Sequence, residues 1–289
     1  MLHVRDIRNR ISSIKNTRQI TNAMKMVAAS KLRRAQERII NARPYADYID
    51  LMIRSVKLKN PTTNNILLKE YEDERVDEQS KTALIVITAD KGLCGSFNSN
   101  IIRAALTYCE SHTDIDIICI GKRGYDQIRK KSDRIIDKYI NIFNEMDFAA
   151  SKDISQKVLE LFTEEGYQKI DVIYNEFKSA IQQNVVQKQL LPIVPLESDV
   201  VSRIDYIYEP DENTIINELG EKYVDIEIWR MLLESSAAEQ GARMTAMDNA
   251  TENATELIDE LTLLHNRARQ SAITTEIIEI ASGAEAIND

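Results

Sequence analysis

The chain has 289 residues with a formal net charge of −9, a sequence pI of about 5.1, and aromatic residues at only 6% of positions. The acidic balance argues against a nucleic-acid partner, and no apolar run is long enough to span a bilayer. Three unevenly spaced cysteines and three scattered histidines argue against a disulfide scaffold and against a metal site.

Residues 1–57 predict a long, narrow helix that forms one strand of a coiled coil. Apolar residues recur at helical spacing, and there is no glycine before Gly92. Pro44 is expected to kink or briefly interrupt this helix rather than end it, because the periodicity resumes behind it. The apolar seam consists of Val4, Ile7, Ile11, Ile14, Ala28, Leu32, Ala35, Ile39, Ala46, Ile49 and Val56, with Met24 and Val27 filling the gap.

The same segment is strongly basic. Between Ile7 and Gln36 it has eight lysines and arginines and no acidic residue. A nucleic acid or a membrane is an alternative partner for this face, but no aromatic residue precedes Tyr45 to stack on a base. A mitochondrial transit peptide is a further alternative, and it is rejected because the helix continues without a cleavage-like break. A basic face in an acidic chain favours an acidic partner surface.

Residues 58–81 are polar and acidic and predict a linker. Residues 82–207 then alternate between strand-like and helix-like patterns. This alternation predicts a small, Rossmann-like, mostly parallel α/β domain. The expected strands are Thr82–Thr88, Ile115–Ile120, Arg134–Tyr139, Lys169–Phe177 and Val185–Pro192, and the expected helices are Asn98–Ser111, Lys122–Lys131 and Lys152–Glu165.

The turn Asp90–Ser96 is the segment of this domain that could carry chemistry. A glycine turn between a strand and a helix is where nucleotide-binding enzymes hold phosphate, but neither GxGxxG nor GxxxxGK[ST] is present. Cys94, at the start of a helix, could be an activated nucleophile. No histidine or carboxylate pair lies nearby in sequence, so tight-turn glycines and a small buried thiol are the favoured interpretation. We therefore expect no catalytic residue, no cofactor and no metal.

Residues 208–289 predict a second long helix. From Asp211 to Ile287 there is no proline, and a narrow apolar stripe repeats at steps of three and four. Acidic residues, among them Glu227, Glu234 and Glu239, are expected to flank this stripe on the surface. Opposite charges beside the two seams favour antiparallel pairing of the terminal helices within one chain. A parallel homodimer is the competing hypothesis.

Three groups of residues, in chain order, match the motifs of one known family. They are Arg8–Ile11 with Lys15–Ala28, then Thr88–Asn98, then Glu239–Ala254 with Asn266–Ile277. Together they resemble the gamma subunit of F-type ATP synthases of the bacterial type. The resemblance extends over essentially the whole chain.

The resemblance implies a central-stalk rotor subunit that couples ion flow through a membrane ring to conformational change in catalytic beta subunits. The implied partners are the hexamer of alpha and beta subunits, the epsilon subunit and the c-ring, without self-association. The implied location is peripheral, on the cytoplasmic face of the bacterial inner membrane. The residues that the resemblance places against the partners are Arg8, Met24, Lys25, Arg243, Arg269, Gln270, Ile273 and Ile277.

Two other functions are possible on the residues alone. An enzyme built on the α/β domain would bind a small molecule, whereas a coiled-coil scaffold would form a stable homodimer.

Overall fold

The computed structural model describes residues 4–59, 65–68, 81–112, 114–143, 146–180, 182–194, 209 and 211–288. The chain divides into two compact units. One consists of Met1–Ala28 with Met244–Asp289, and the other of Ala29–Arg243. The boundaries predicted from sequence, after residues 57, 81 and 207, follow a different criterion, the change from coiled coil to α/β domain, and stay a prediction.

Five helices are present in the described part of the chain. Two of them are very long, with 56 and 77 residues, and both contribute to each unit. They are α1 (Val4–Lys59), α2 (Phe97–Ser111), α3 (Lys122–Ile128), α4 (Phe148–Thr163) and α5 (Glu212–Asn288).

Pro44 lies inside α1 without interrupting it, contrary to the brief break considered above. Proline removes one N–H, so the carbonyl four residues earlier, on Ile40, loses its helical partner. Both residues are exposed, so water can solvate that carbonyl, and the helix continues.

In the unit of Met1–Ala28 and Met244–Asp289, α1 and α5 pair antiparallel, as predicted. The hydroxyls of Thr21 and Thr251 are 2.8 Å apart, and Lys25 forms an ion pair with Asp248. From the first contact to the second, the residue number rises on α1 and falls on α5, so the two helices run in opposite directions. The buried side chains of this unit are mostly small or β-branched: Ile7, Thr21, Ala28, Ala254 and Ile258. Val27, which was predicted to lie in the α1 seam, is instead 58% exposed.

In the unit of Ala29–Arg243, the same two helices are again antiparallel. Arg43 pairs with Glu234 at 2.8 Å, and Asp47 pairs with Arg230 at 2.8 Å. The two-helix coiled coil predicted from the termini is therefore confirmed within each unit.

The α/β part of this second unit contains a five-stranded sheet in the order β3-β2-β1-β4-β5. The first four strands are parallel, and β5 is antiparallel to β4. The Rossmann-like, mostly parallel sheet is thus confirmed. The strands are β1 (Thr82–Ile87), β2 (Ile115–Ile120), β3 (Ile135–Tyr139), β4 (Lys169–Phe177) and β5 (Gln183–Leu191).

Helix α4 begins four residues before the predicted start at Lys152. The reason is a side-chain cap, since the carboxylate of Asp147 accepts a hydrogen bond from the backbone N–H of Ala150 at 2.8 Å. Helix α3 ends at Ile128, three residues before the predicted end at Lys131.

The main core lies between the sheet, α4 and the parts of α1 and α5 in this unit, where Ile53, Phe162 and Tyr223 are fully buried. Leu67 and Leu68, inside the predicted linker, also belong to this core, and the carbonyl of Leu67 accepts from the N–H of Ile193 at 2.9 Å. That short part is therefore not a solvated linker. The remaining polar residues, 60–64 and 69–80, lie outside the described residues.

Candidate functional site

The turn Asp90–Ser96 follows β1 at the carboxyl end of the sheet. The carboxylate of Asp90 accepts backbone hydrogen bonds from Lys122 at 2.9 Å, Asn141 at 2.8 Å and Phe143 at 3.4 Å. These donors belong to the segments that follow β2 and β3. Asp90 therefore fastens three loops at one edge of the sheet and has little capacity left for a substrate.

Cys94 does not have the character of an activated nucleophile. Its side chain is buried, and the amide of Asn98 donates to Sγ at 3.2 Å. Burial is the main influence on this thiol and raises its pKa above the ordinary value. The thiol is therefore protonated at neutral pH, so the hypothesis of a lowered pKa is wrong. The alternative interpretation, a small buried thiol beneath a tight turn, is supported.

The crevice of the sheet is filled by the chain itself. In open α/β sheets, ligands bind beyond the carboxyl ends of the strands where the strand order reverses, here between β1 and β4. The N–H of Phe177, at the end of β4, donates to Glu234 Oε2 at 3.0 Å, and Arg243 Nη2 donates to the carbonyl of Gly92, after β1, at 3.2 Å. A Cβ added at Gly241 would lie 3.0 Å from the carbonyl oxygen of Ala180. Segment 234–243 of α5 thus occupies the place where a nucleotide would bind.

Three acidic residues that were expected on the surface beside the α5 seam are buried, which corrects that prediction. Each carboxylate has a cationic partner: Glu227 pairs with Lys188 at 2.7 Å, Glu234 with Arg43 at 2.8 Å, and Glu239 with Arg243 at 2.6 Å. In the sequence, consecutive apolar residues near these acids, such as residues 231–233, fall on more than one face of the helix. An apolar surface wider than a single stripe is the sequence signal for a helix that is buried by more than one neighbour.

Of the residues that the resemblance assigns to partner contacts, three polar ones are freely available in the unit of Met1–Ala28 and Met244–Asp289. Arg8, Arg269 and Gln270 are exposed. Met24 and Lys25 are half-buried, and Lys25 is engaged by Asp248.

The apolar residues of that set, Ile273 and Ile277, are exposed as well. Every residue from 271 to 283 is exposed, although the stretch carries four isoleucines, and Ile277 and Ile280 are 61% and 67% exposed. We call residues 271–283 the apolar tip. A group of exposed isoleucines on one helix is typical of an interaction site.

Arg243 lies in the other unit and has a different environment. Its side chain is only 11% exposed, and its guanidinium is held by Glu239 and by the carbonyl of Gly92. The structure therefore places Arg243 in an intramolecular contact, whereas the other predicted cations face solvent or the neighbouring helix.

In the part of the chain that the structure describes, no cluster of three histidine, cysteine, aspartate or glutamate residues has the arrangement of a metal site. Within the same residues, none of the helices has an apolar stretch sufficient to traverse a bilayer.

Comparison with known proteins identifies the family. A family model described as ATP synthase matches residues 3–287. The ATP synthase gamma chain of Chloroherpeton thalassium is 45% identical over 305 residues, covering 99% of each chain, and that of Salinibacter ruber is 45% identical over 312 residues, covering 100% of this chain and 99% of the relative.

Solved structures agree with these relatives. A chain of the central stalk and c-ring of the Tetrahymena thermophila mitochondrial ATP synthase is 31% identical, with a TM-score of 0.63 over 80% of this chain and 99% of that one. A chain of the Euglena gracilis mitochondrial enzyme, at 21% identity, has the same fold with a TM-score of 0.68 over 98% of this chain and 94% of that one. With a family model matching nearly its whole length and relatives at 45% identity, the chain belongs to the ATP synthase gamma chain family.

Proposed function

We propose that this chain is the central-stalk rotor subunit of an ATP synthase, a non-catalytic part that couples ion flow to ATP synthesis or hydrolysis. The observation that carries the proposal is the apolar tip, where α5 continues for 13 exposed residues with four isoleucines. A helix that exposes such a surface in the free chain is suited to turn inside a sleeve supplied by other subunits.

The basic face of α1 supports an acidic partner. Lys31, Arg34 and Arg38 line a cleft of about 170 Å³ whose other lining residues are neutral. None of these three cations has an ion pair among the described residues. In a chain with a net charge of −9, such a cluster is complementary to an acidic loop, and the catalytic beta subunits are the proposed source of that loop.

The remaining predicted contacts extend this proposal. Arg8, Met24 and Lys25 on α1, and Arg269 and Gln270 on α5, are proposed to meet the hexamer, with Ile273 and Ile277 in the sleeve. Arg243 is proposed to lie close to the acidic loop while retaining its internal partner. The epsilon subunit and the c-ring are proposed to bind the α/β part.

Rotation would couple these contacts to catalysis by a simple physical route. A two-helix coiled coil presents different side chains in different directions, so each beta subunit meets a different surface at each angle. A contact that differs between conformations shifts their populations, and turning the shaft would shift each catalytic subunit in sequence.

The location follows from the same assignment. We propose a peripheral position on the cytoplasmic face of the bacterial inner membrane, with association through the complex and not by self-association.

Co-purification from native membranes tests the proposal. The tagged full-length chain should bring with it two large nucleotide-binding subunits in excess over the chain itself, together with a small membrane protein. Recovery as a free homodimer would instead favour the scaffold hypothesis. Recovery with a soluble metabolite would favour the enzyme hypothesis, and either result would overturn the rotor assignment.

A further inference from the structure

The turn Asp90–Ser96 has no task in the rotor assignment, although it is the most distinctive segment of the α/β part. Its backbone is unusual, since Leu93 and Gly95 have positive φ values of 62° and 57°. A non-glycine residue in this conformation is held there by its surroundings. Leu93 is itself exposed, so the restraint must come from other contacts of the turn.

One such contact joins the turn to α5. Arg243 Nη2 donates to the carbonyl of Gly92 at 3.2 Å and lies 2.6 Å from Glu239 Oε1. Glu239 and Arg243 are one helical turn apart, so their side chains lie on the same face of α5. Their side chains are 6% and 11% exposed, so solvent screens this pair far less than a surface pair.

An arginine has a long, flexible stem, and its position depends on what holds the guanidinium. The other charged or titratable groups near Glu239 are Asp90, Lys31 and the thiol of Cys94. Asp90 already accepts hydrogen bonds from three backbone N–H groups, as described above. Glu239 is therefore the carboxylate that pairs with the guanidinium of Arg243.

We propose that Glu239 is a positioning residue that holds Arg243 against the carbonyl of Gly92, and that this contact fixes the turn Asp90–Ser96 to α5. We call the three groups the Arg243 latch. The latch holds the turn that contains Cys94 against α5, and it assigns Arg243 a role inside the chain. The proposal is independent of the rotor assignment, because it concerns contacts within one unit of this chain.

Thiol labelling of the full-length chain tests the latch. Maleimide incorporation at Cys94 is measured by mass spectrometry in the unmodified protein and in Glu239→Gln, Glu239→Asp and Arg243→Gln. Loss of a hydrogen bond to a charged group corresponds to about tenfold in an opening equilibrium, so Glu239→Gln and Arg243→Gln should each label Cys94 about tenfold faster. Glu239→Asp, which keeps the charge, should restore most of the protection.

The Arg243→Gln result separates the latch from simple electrostatics. The positive charge of Arg243 lowers the pKa of the Cys94 thiol, so removing it without opening the turn would slow labelling. The latch predicts faster labelling. The double variant should label no faster than Arg243→Gln alone, since Glu239 acts through Arg243.

Glu227→Gln is the matched control, because Glu227 is an equally buried carboxylate of α5 that pairs with Lys188 instead. It should leave labelling of Cys94 unchanged. Cys119 gives an internal reference, since burial raises its pKa to about 12 and keeps it unreactive. Slower or unchanged labelling of Cys94 in Arg243→Gln would overturn the proposal. It would also be overturned if the labelling rate of the double variant were the product of the two single increases, or if Glu227→Gln increased the rate equally.

Discussion

At the scale of single residues, Glu234 shows how a buried charge is accommodated on α5. One carboxylate oxygen receives Arg43 Nε at 3.0 Å and Nη2 at 2.8 Å, and the other receives the N–H of Phe177 at 3.0 Å. The desolvation of a carboxylate is offset only when its oxygens are bonded in this way. Glu234 therefore joins three elements, α1, β4 and α5, at one point.

Replacing Glu234 by alanine should lower the free energy of unfolding by about 2–4 kcal/mol, because it leaves the N–H of Phe177 without an acceptor and leaves Arg43 with only the carbonyl of Phe177. Chemical denaturation followed by the fluorescence of Trp229, the single tryptophan, would measure the loss. Glu256→Ala, at an exposed position of the same helix, serves as the control and should change stability by less than about 0.5 kcal/mol. An equal effect of both substitutions would show that burial is not the cause.

Glu239 gives a pH dependence of defined sign. Burial, the largest influence, raises its pKa above 4.5, and Arg243 only partly opposes this. A carboxyl group whose pKa is higher in the folded state contributes stability below its unfolded pKa and loses that contribution as the pH rises through its folded pKa. The difference in unfolding free energy, Glu239→Gln minus unmodified protein, should therefore become more positive as the pH rises from about 4.5.

Denaturation curves of the two proteins at matched pH values would measure this difference. Glu227→Gln controls for loss of any buried carboxylate. A difference that falls with rising pH would mean that the pairing with Arg243 dominates over burial.

At the scale of elements, the apolar pattern was sufficient to predict all five strands and all five helices with errors of a few residues. Continuous apolar runs such as Ile117–Ile120 indicate strands that are buried on both faces, and narrow stripes indicate a two-helix seam. The start of α4 was missed because it depends on one capping side chain, Asp147. The filled crevice and the buried acids depend on which elements meet in space, and no local pattern contains that information.

The seam of small residues in the unit of Met1–Ala28 and Met244–Asp289 leads to a packing prediction. Ala254 is buried, and Thr251, one helical turn earlier, contacts Thr21 of α1, so Ala254→Leu should overpack the seam and cost about 1–3 kcal/mol. Ala23→Leu introduces the same side chain at an exposed site of α1 and should be nearly neutral. Circular dichroism during thermal unfolding would compare them, and an equal loss in both would count against a close-packed seam.

At the scale of the whole molecule, charge and apolar surface are distributed unevenly. The chain has a net charge of −9, yet residues 7–36 contain no acid. Exposed isoleucines are concentrated in the apolar tip, beyond the last buried seam residue, Ile258. The basic stretch has no evident use in an isolated chain, and the exposed apolar tip is unfavourable there. Both features are expected of a subunit whose partners cover these surfaces.

Ile277→Asp should separate folding from assembly. The side chain is exposed, so the substitution should leave the unfolding free energy of the free chain within about 0.5 kcal/mol of the unmodified value. In an apolar sleeve the new charge would be desolvated, so retention in the complex should fall by tenfold or more, about 1.4 kcal/mol. Quantification of the chain in membrane complexes would measure this.

Thr262→Asp places the same carboxylate at an exposed site outside the apolar tip and is the control. Equal loss from the complex in both variants would argue against a sleeve around the tip.

The apolar tip also has a consequence for copies that never assemble. A solitary helix of this length is only marginally stable in water, so in an unassembled copy its backbone opens readily. Opened, isoleucine-rich segments are what chaperones bind and what proteases cleave. Incorporation into a sleeve would bury the same segment. An unassembled copy would be degraded because its apolar tip is exposed, whereas an assembled copy would be protected because its tip is buried. The abundance of this subunit would therefore follow that of its partners.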